Sequence, residues 1–144
     1  MQHETVAIRR ANWELDAESI RQVRTEVFVV EQGVPIELEI DGLDPTVRHV
    51  LAVLSTGEPI GTARLLDNGQ IGRIAVLKRW RGKGIGRQLV ETLIQCARDD
   101  GRSAVFLHSQ TQAVPFYEKL GFRKDGSPPF DDAGIPHVHM DLTL

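Results

Sequence analysis

The feature that most constrains this chain is a glycine-rich junction between an apolar run and an amphipathic segment. Residues 71–77 are almost continuously apolar, which predicts a central strand covered on both faces. From about Gly84 to Asp100, apolar residues recur every four positions and predict a helix. Gly82, Gly84 and Gly86 stand between the strand and the body of the helix, and they remove side chains where a ligand must approach the backbone.

This junction predicts a phosphate-binding turn. The first turn of a helix has unsatisfied amides and the positive end of the helix dipole, and both favour phosphate. Arg81, Lys83 and Arg87 add positive charge around it. The G-x-G-x-G spacing does not match the dinucleotide fingerprint G-x-G-x-x-G. A P-loop is also excluded, because Arg87 follows Gly86 where a P-loop has lysine.

The rest of the chain predicts one α/β domain over residues 1–144, with a mixed sheet and helices on both faces. Alternation, helical spacing and turn residues place the elements. The predicted strands are Thr5–Arg10, His49–Leu54, Pro59–Leu66, Gln70–Leu77, Ala104–His108, one after Gly121, and Val138–Leu144. The predicted helices are Asp16 to about Val30, Gly84–Asp100 and Thr111–Leu120, with an irregular acidic loop at Gly33–Pro45.

Composition excludes several classes of protein. The formal net charge of -3 argues against a general nucleic-acid binder. Cys96 is the only cysteine, so an intrachain disulfide is impossible, and we expect a buried thiol in a reducing compartment. The N-terminus has no apolar signal-peptide core, and no uncharged run approaches the roughly 20 residues of a membrane span. We therefore expect a soluble cytoplasmic protein without membrane or nucleic-acid partners.

Two motifs carry a resemblance to a known family. The R-G-x-G-I-G run at Arg81–Gly86 closely resembles the pyrophosphate-binding motif of the GNAT superfamily of N-acetyltransferases. Ala113–Phe122 resembles the second signature of that family, A-x-x-x-Y-x-x-x-G-F. The resemblance is strong over about Gly61–Phe122. The V-F-V-x-E-Q element after Arg24 and the G-I-P-H run ending at His137 resemble the ElaA-like branch.

The resemblance implies a mixed, mostly antiparallel sheet of about six to seven strands, splayed between strands 71–77 and 104–108 to admit a cofactor. It implies direct transfer of an acetyl group from acetyl-CoA to an amine of a small molecule or peptide, within a ternary complex. An acyl-CoA-binding module with weak catalysis is the alternative, and a homodimer is left open. A neutral backbone amide near Ile74–Val76 would polarise the thioester carbonyl.

The family motifs also imply the cofactor residues. The pantetheine arm would pair with the strand, and the pyrophosphate would lie on the amides of the glycine turn. At Gln110 the family usually has asparagine. The implied cofactor-binding residues are Ile74, Ala75, Val76, Arg81, Gly82, Lys83, Gly84, Ile85, Gly86, Arg87, Gln110, Phe116 and Tyr117.

The resemblance makes Tyr117 the general acid near the sulfur, although the ring would also suit a core position. An amine acceptor also needs a base, because a lysine-like amine is roughly one part in a thousand neutral at pH 7. We take Glu31 and His108 as the leading candidates, and His108 ends a predicted central strand. Glu39, Asp41, His49 and His137 remain open alternatives for the base.

The acceptor side is predicted less sharply. The acidic segment Glu37–Asp41 favours a cationic acceptor, unless it is ordinary solvated surface. Arg64 and Arg73, on neighbouring predicted strands, either pair with acidic residues or bind an anionic part of the acceptor. No metal is expected, because His137 and His139 lack a clear third ligand. The candidate substrate residues are Phe28, Glu39, Asp41, His49, Arg73 and His137.

Overall fold

The central layer of the protein is an eight-stranded mixed sheet, seen in a computed structural model that describes residues 5–144. The strands are β1 (Val6–Ala11), β2 (Arg48–Leu54), β3 (Pro59–Leu65), β4 (Gln70–Val76), β5 (Ala104–Gln110), β6 (Arg123–Lys124), β7 (Phe130–Asp132) and β8 (Ile135–Thr143). The helices are α1 (Trp13–Arg24), α2 (Ile36–Glu39), α3 (Ile85–Asp99) and α4 (Val114–Lys119). A π-helical turn, Thr25–Glu31, follows α1 directly.

The sheet order is β1-β2-β3-β4-β5-β8-β6, and β7 pairs with the free end of β8. Only β4 and β5 are parallel, and all the other pairs are antiparallel. Every residue of β3 is buried, and α1 and α3 both contact β3. Because a strand buried on both faces needs a cover on each, the predicted arrangement of helices on both faces is confirmed.

The first helix begins earlier than its predicted cap. Asn12, not Asp16, is the N-cap, and its side chain accepts a hydrogen bond from the Glu14 amide at 2.9 Å. Asp16 accepts instead from the Asn12 amide at 2.9 Å and pairs with Arg9. The predicted helix to Val30 is confirmed, but its last part, from Thr25 on, is π-helical instead of α-helical.

The central strands match their predicted bounds to within one or two residues, but the predicted count of six to seven strands is too low. The missing strand is β7, which joins β8 through Ala133 and Gly134. Both turn residues have positive φ, +52° and +78°, as a two-residue type I′ hairpin requires. The sequence does not indicate this hairpin, because its first turn residue is alanine where asparagine or aspartate is usual.

The cleft forms where β4 and β5 part. Their pairing is confined to Gln70 and Ile71, so the predicted splay of these strands is confirmed. On its other side, β4 contains a bulge, since Thr62 pairs with Ala75 and Arg64 pairs with Gly72. Two residues of β4 therefore lie opposite one residue of β3, which increases the local twist. Within residues 5–144, no helix is long and apolar enough to cross a membrane.

Candidate active site

A cavity of about 460 Å³ lies in the cleft where β4 and β5 separate. It brings together eight of the residues predicted from the sequence. These are Phe28, Glu39, Arg73, Ile74, His108, Gln110, Tyr117 and His137. The cavity is closed on one side by Val34 and Leu38, before and within α2, and on the other by Asp132, Ala133 and Ile135 of the β7–β8 hairpin.

Two glycines of the turn have a left-handed backbone conformation. Gly84 is the N-cap of α3 with φ +81°, and Gly82 has φ +77°. A Cβ at either position would meet nothing within 4 Å, so it is the backbone conformation that requires glycine. The first backbone hydrogen bond of α3 runs from the Gln88 amide to the Gly84 carbonyl, at 3.1 Å. The amides before Gln88 are therefore available to an anion.

The side chains around this turn are less free than the sequence suggests. Arg81 donates to both carboxylate oxygens of Glu31, at 2.6 and 2.7 Å, and to the Val76 carbonyl at 2.9 Å. Arg87 pairs with Glu91 at 3.1 Å. Among the residues that the structure describes, Lys83 makes no ion pair. Backbone amides and Lys83, rather than three side-chain cations, are thus the groups free to meet a phosphate.

Tyr117 places its phenol at the cavity from α4. Its ring packs edge-on against Phe116 and Phe122, with centroid distances of 5.0 and 6.1 Å. Burial raises the pKa of Tyr117 to about 12. The hydroxyl is therefore protonated throughout the physiological range and is available as a hydrogen-bond donor.

His108 faces the cavity from β5. Its Nδ1 lies 3.3 Å from Nε2 of Gln70, the residue at which β4 and β5 still pair. Burial is the main cause that lowers the pKa of His108, and His139 and His137 lower it further, while Asp132 opposes them. A neutral imidazole at pH 7 is the form that can accept a proton.

Comparisons with known proteins agree with this geometry. Residues 16–144 match the family model described as an acetyltransferase (GNAT) domain. The chain is 46% identical over 121 residues to the uncharacterized N-acetyltransferase YjcF of Bacillus subtilis, covering 82% of this chain and 86% of that protein.

This chain belongs to the GNAT acetyltransferase family.

Two solved structures are similar to this chain over nearly its whole length. An acyl-CoA N-acyltransferase from Pseudomonas aeruginosa shares 31% of the sequence with a TM-score of 0.85, over 96% of this chain and 99% of that one. Escherichia coli ElaA shares 30% with a TM-score of 0.83, over 96% and 99% of the two chains. The ElaA-like resemblance is confirmed. The protein is an acyltransferase, and its family implies acyl-CoA as the cosubstrate.

A groove beside β4 in this GNAT protein is open to an extended ligand. A Cβ added to Gly86 would lie 3.8 Å from both Val76 of β4 and Phe116 of α4, so the glycine keeps the space between them open. Beyond Ile71, the edge of β4 that faces β5 has lost its strand partner and can pair with an extended ligand. Ile85 is buried in the core and can offer only its amide.

Two of the three carboxylates in the acidic segment are paired, and the third, Glu37, is exposed and does not line the cavity. Glu39 is buried and bonded to Arg24 at 2.9 and 2.6 Å and to Arg73 at 3.0 Å. Asp41 pairs with Arg64, and this guanidinium holds the pKa of Asp41 far below its usual range. The expectation that this segment attracts a cationic acceptor is therefore not supported. Of the two alternatives for the arginines, pairing with acidic residues is the one observed.

Three residues expected near the acceptor lie outside the cavity lining. Glu31 is held at the glycine turn, where Arg81 lowers its pKa, and Asp41 lies behind Glu39. His49 is buried, donates from Nε2 to the Asp44 carbonyl at 2.9 Å, and stacks on Trp13 at 5.0 Å. Burial lowers the pKa of His49. None of the three is placed to take a proton from an acceptor in the cavity.

The two histidines of β8 have different surroundings. His137 lines the cavity, and its Nδ1 donates to the Ile135 carbonyl at 2.7 Å. His139 lies 2.8 Å from Asp141 and 3.9 Å from Asp125. His139 thus has two carboxylates near it that the sequence did not indicate, and His137 is not part of that group.

Sequence reasoning missed several residues of the cavity, chiefly Gln32, Gln70 and the hairpin residues Asp132, Ala133 and Ile135. Gln70 could have been found, because it opens the strand that the Asn68–Gly69 turn begins and faces the predicted parallel neighbour. The hairpin residues gave no local signal, because Ala133 replaces the usual first turn residue.

Proposed function

We propose that this protein transfers the acetyl group of acetyl-CoA directly to the amine of a small molecule or peptide. The observation that carries the proposal is the meeting of two proton-handling side chains at the splayed strands. Neutral His108 from β5 and protonated Tyr117 from α4 line one cavity beside the partnerless edge of β4. Free α3 amides, at the glycine turn that follows β4, suit the cosubstrate pyrophosphate.

The residues that would hold acetyl-CoA follow from the groove. The backbone of Ile74–Val76 would pair with the pantetheine arm, and Gln110 offers an amide side chain at the cavity wall. The amides of Ile85–Arg87, with Lys83, would bind the pyrophosphate. Acetyl-CoA supplies the thioester whose acyl group is transferred. The bulged backbone at Ile74 offers a fixed dipole of the kind that stabilises developing negative charge.

We assign the base to His108. A lysine-like amine is almost entirely protonated at pH 7, so only its small neutral fraction attacks, and the nitrogen becomes acidic as it gains the acyl group. Neutral His108 can take that proton. With its amide oriented oppositely, Gln70 would accept a hydrogen bond from Nδ1 and leave Nε2 free for the amine. Burial keeps His108 neutral at pH 7, so the imidazole is ready to accept the proton before each turnover.

We assign Tyr117 to the departing sulfur as a hydrogen-bond donor. Its pKa of about 12 is well above the roughly 8.5 of an ordinary thiol, so complete proton transfer from the phenol to a thiolate would be uphill. A charge-assisted hydrogen bond from the phenol needs no such transfer and strengthens as negative charge grows on sulfur.

Asp132 is the group we assign to recognition of the acceptor. The carboxylates that line the cavity are Glu39 and Asp132. Glu39 is neutralised by arginines, whereas Asp132 makes no ion pair with any residue between 5 and 144. An exposed carboxylate on the hairpin can attract an ammonium group toward His108, at modest cost in desolvation.

A thermal-shift series with acetyl-CoA and coenzyme A tests the cosubstrate site. Ligand at 100 times its dissociation constant should stabilise the fold by about 2.7 kcal/mol. Gly84→Val should abolish the shift. Gly57→Val is the matched control, because Gly57 also has positive φ and open space around its Cβ position but lies in the β2–β3 turn. Both variants carry similar backbone strain, and only the control should keep the response.

Release of free thiol with a panel of small amines and peptides then tests transfer. No response of the wild-type protein to millimolar acetyl-CoA would refute the cosubstrate site. A normal thermal shift without thiol release from any amine would instead favour the acyl-CoA-binding module.

A further inference from the structure

Arg73 has an unusual backbone conformation in the middle of β4. Its φ is +48°, and among the non-glycine residues of the described range only Ala133 is also left-handed. Arg73 belongs to the bulge, where it and Ile74 lie opposite Ala63 of β3. Residues with a side chain disfavour this conformation, so something in the surroundings must hold it.

The side chain of Arg73 makes the contacts that can do so. Its Nε donates to the Glu39 carboxylate at 3.0 Å. Its Nη2 donates to the carbonyls of Leu38 and Glu39, at 3.3 and 3.2 Å, at the C-terminal end of α2. A guanidinium there satisfies carbonyls that have no partner within the helix.

The anchor of Arg73 is itself fixed. Glu39 is buried and is held from its other side by Arg24, which also bonds Asp44 at 2.8 Å. Asp44 bonds Arg64 at 2.9 Å, so the array reaches back to β3. The carboxylate that meets Arg73 therefore cannot follow it if the bulge relaxes.

We propose that Arg73 is a positioning residue whose ion pair with Glu39 holds the bulge of β4 in its left-handed form. The bulge, Arg73 and Ile74, begins two residues after Ile71, the last residue of β4 that pairs with β5, and Ile74 lines the cavity. The pair thereby keeps the cleft open and keeps the backbone at Ile74 aimed into it. The catalytic part of this inference rests on the proposed transfer reaction.

Three variants separate this role from direct binding of a ligand by the guanidinium. Arg73→Ala loses the ion pair and keeps the conformational penalty. Arg73→Gly loses the same charge but adopts positive φ freely, and Arg73→Asn tolerates it better than other residues. The left-handed penalty corresponds to about a 5- to 30-fold population change. We expect kcat to fall that much further in Arg73→Ala than in Arg73→Gly, with little change in acetyl-CoA affinity.

Equal loss of kcat in the alanine and glycine variants would overturn the proposal, because a charge that acts on a ligand is absent from both. Wild-type kcat in Arg73→Ala would overturn it too. If Arg73→Ala does not fold, the glycine and asparagine variants decide. If both variants keep kcat within about fivefold of the wild type, the positioning role is supported. A larger loss of kcat in both contradicts it.

A backbone measurement on the proteins without ligand makes the test independent of the reaction. Backbone chemical shifts of residues 72–75, or a crystal structure, report φ at position 73. We expect negative φ in Arg73→Ala and positive φ in Arg73→Gly. A left-handed alanine in an unchanged bulge would show that the ion pair with Glu39 does not hold the bulge, even if the enzyme is active. Failure of the wild type to bind acetyl-CoA would remove the proposed function and leave this backbone result standing.

Discussion

The two walls of the cleft handle charge in opposite ways. On and behind the wall formed by β4 and the segment around α2, with contributions from α1 and β3, three arginines pair with three carboxylates. These are Arg24, Arg64, Arg73, Glu39, Asp41 and Asp44. On the wall formed by β5, α4 and the hairpin, His108, Tyr117 and Asp132 have no ionic partner among the described residues.

We call the first, with its paired charges, the architectural wall and the second, with His108, Tyr117 and Asp132, the chemical wall. A buried charge is costly unless it is paired, so the array on the first wall is a structural commitment whose members are not free for a substrate. The second wall holds groups that are not neutralised by a partner, and among the described residues the imidazole of His108 hydrogen-bonds only to Gln70, through Nδ1, so these groups can take part in a reaction. The acidic segment attracts attention in the sequence, yet it belongs to the architectural wall.

The largest effect should come from breaking the array. Arg24→Ala leaves Glu39 and Asp44 buried without their shared cation, and we expect a loss of about 3–5 kcal/mol in the free energy of unfolding. Arg79→Ala is the control, because the Arg79–Glu58 pair is half exposed and should contribute no more than about 1 kcal/mol. Urea denaturation measures both variants. Similar losses in the two would show that the buried array is not special.

The second effect tests the chemical wall. Tyr117→Phe should lower kcat about 10²-fold, equivalent to about 2.7 kcal/mol, because the phenol acts only as charge grows on the departing sulfur. Acetyl-CoA affinity and the unfolding free energy should change little, since the ring contacts with Phe116 and Phe122 remain. Steady-state kinetics with acetyl-CoA titration makes the measurement. A wild-type kcat, with chemistry shown to limit turnover, would make Tyr117 a packing residue.

The two halves of the site also differ in how far the sequence predicts them. The cosubstrate half is local, because strand, glycine turn and helix follow one another within residues 71–100. Motif spacing therefore predicted the succession of strand, glycine turn and helix, but not the left-handed conformation of Gly84. What it did not predict is that Arg87 pairs with Glu91 and that Arg81 has a side-chain partner 50 residues away. Local spacing carries no information on such a partner.

The acceptor half is assembled from distant segments. Glu39 meets Arg24 from 15 residues away and Arg73 from 34. Whether a carboxylate is free or paired depends on these contacts and not on composition, so the pairing of Glu39 and Asp41 could not be predicted. Asp132 was missed for the converse reason, since its position depends on a hairpin whose first turn residue is alanine.

A pH profile sharpens the role of the chemical wall. If His108 is the base, activity requires its neutral form, so the rate rises with pH through the pKa of His108, which lies below its usual value of about 6.5. Asp132→Asn removes a charge that favours the imidazolium, so the rising limb should move to lower pH. The shift should be small, because Asp132 is exposed and screened by salt.

His108→Gln should remove this limb altogether and provides the reference profile. A limb that moves to higher pH in Asp132→Asn, or that persists in His108→Gln, would assign the base to another group. The measurement is kcat as a function of pH, with one amine that the wild type acetylates and with saturating acetyl-CoA.

The smallest effect concerns strain in the hairpin of the chemical wall. Ala133 holds the first position of a type I′ turn with φ +52°, where asparagine is favoured and alanine is not. Ala133→Asn should therefore raise the free energy of unfolding by about 0.5–1 kcal/mol. Gly134→Ala is the opposite control, because it imposes the same penalty on the second turn position, φ +78°, and should destabilise by a similar amount. Urea denaturation of the ligand-free proteins compares them. If asparagine destabilised the protein, residue 133 would not be left-handed in solution, and the hairpin that brings Asp132 to the cavity would have a different turn.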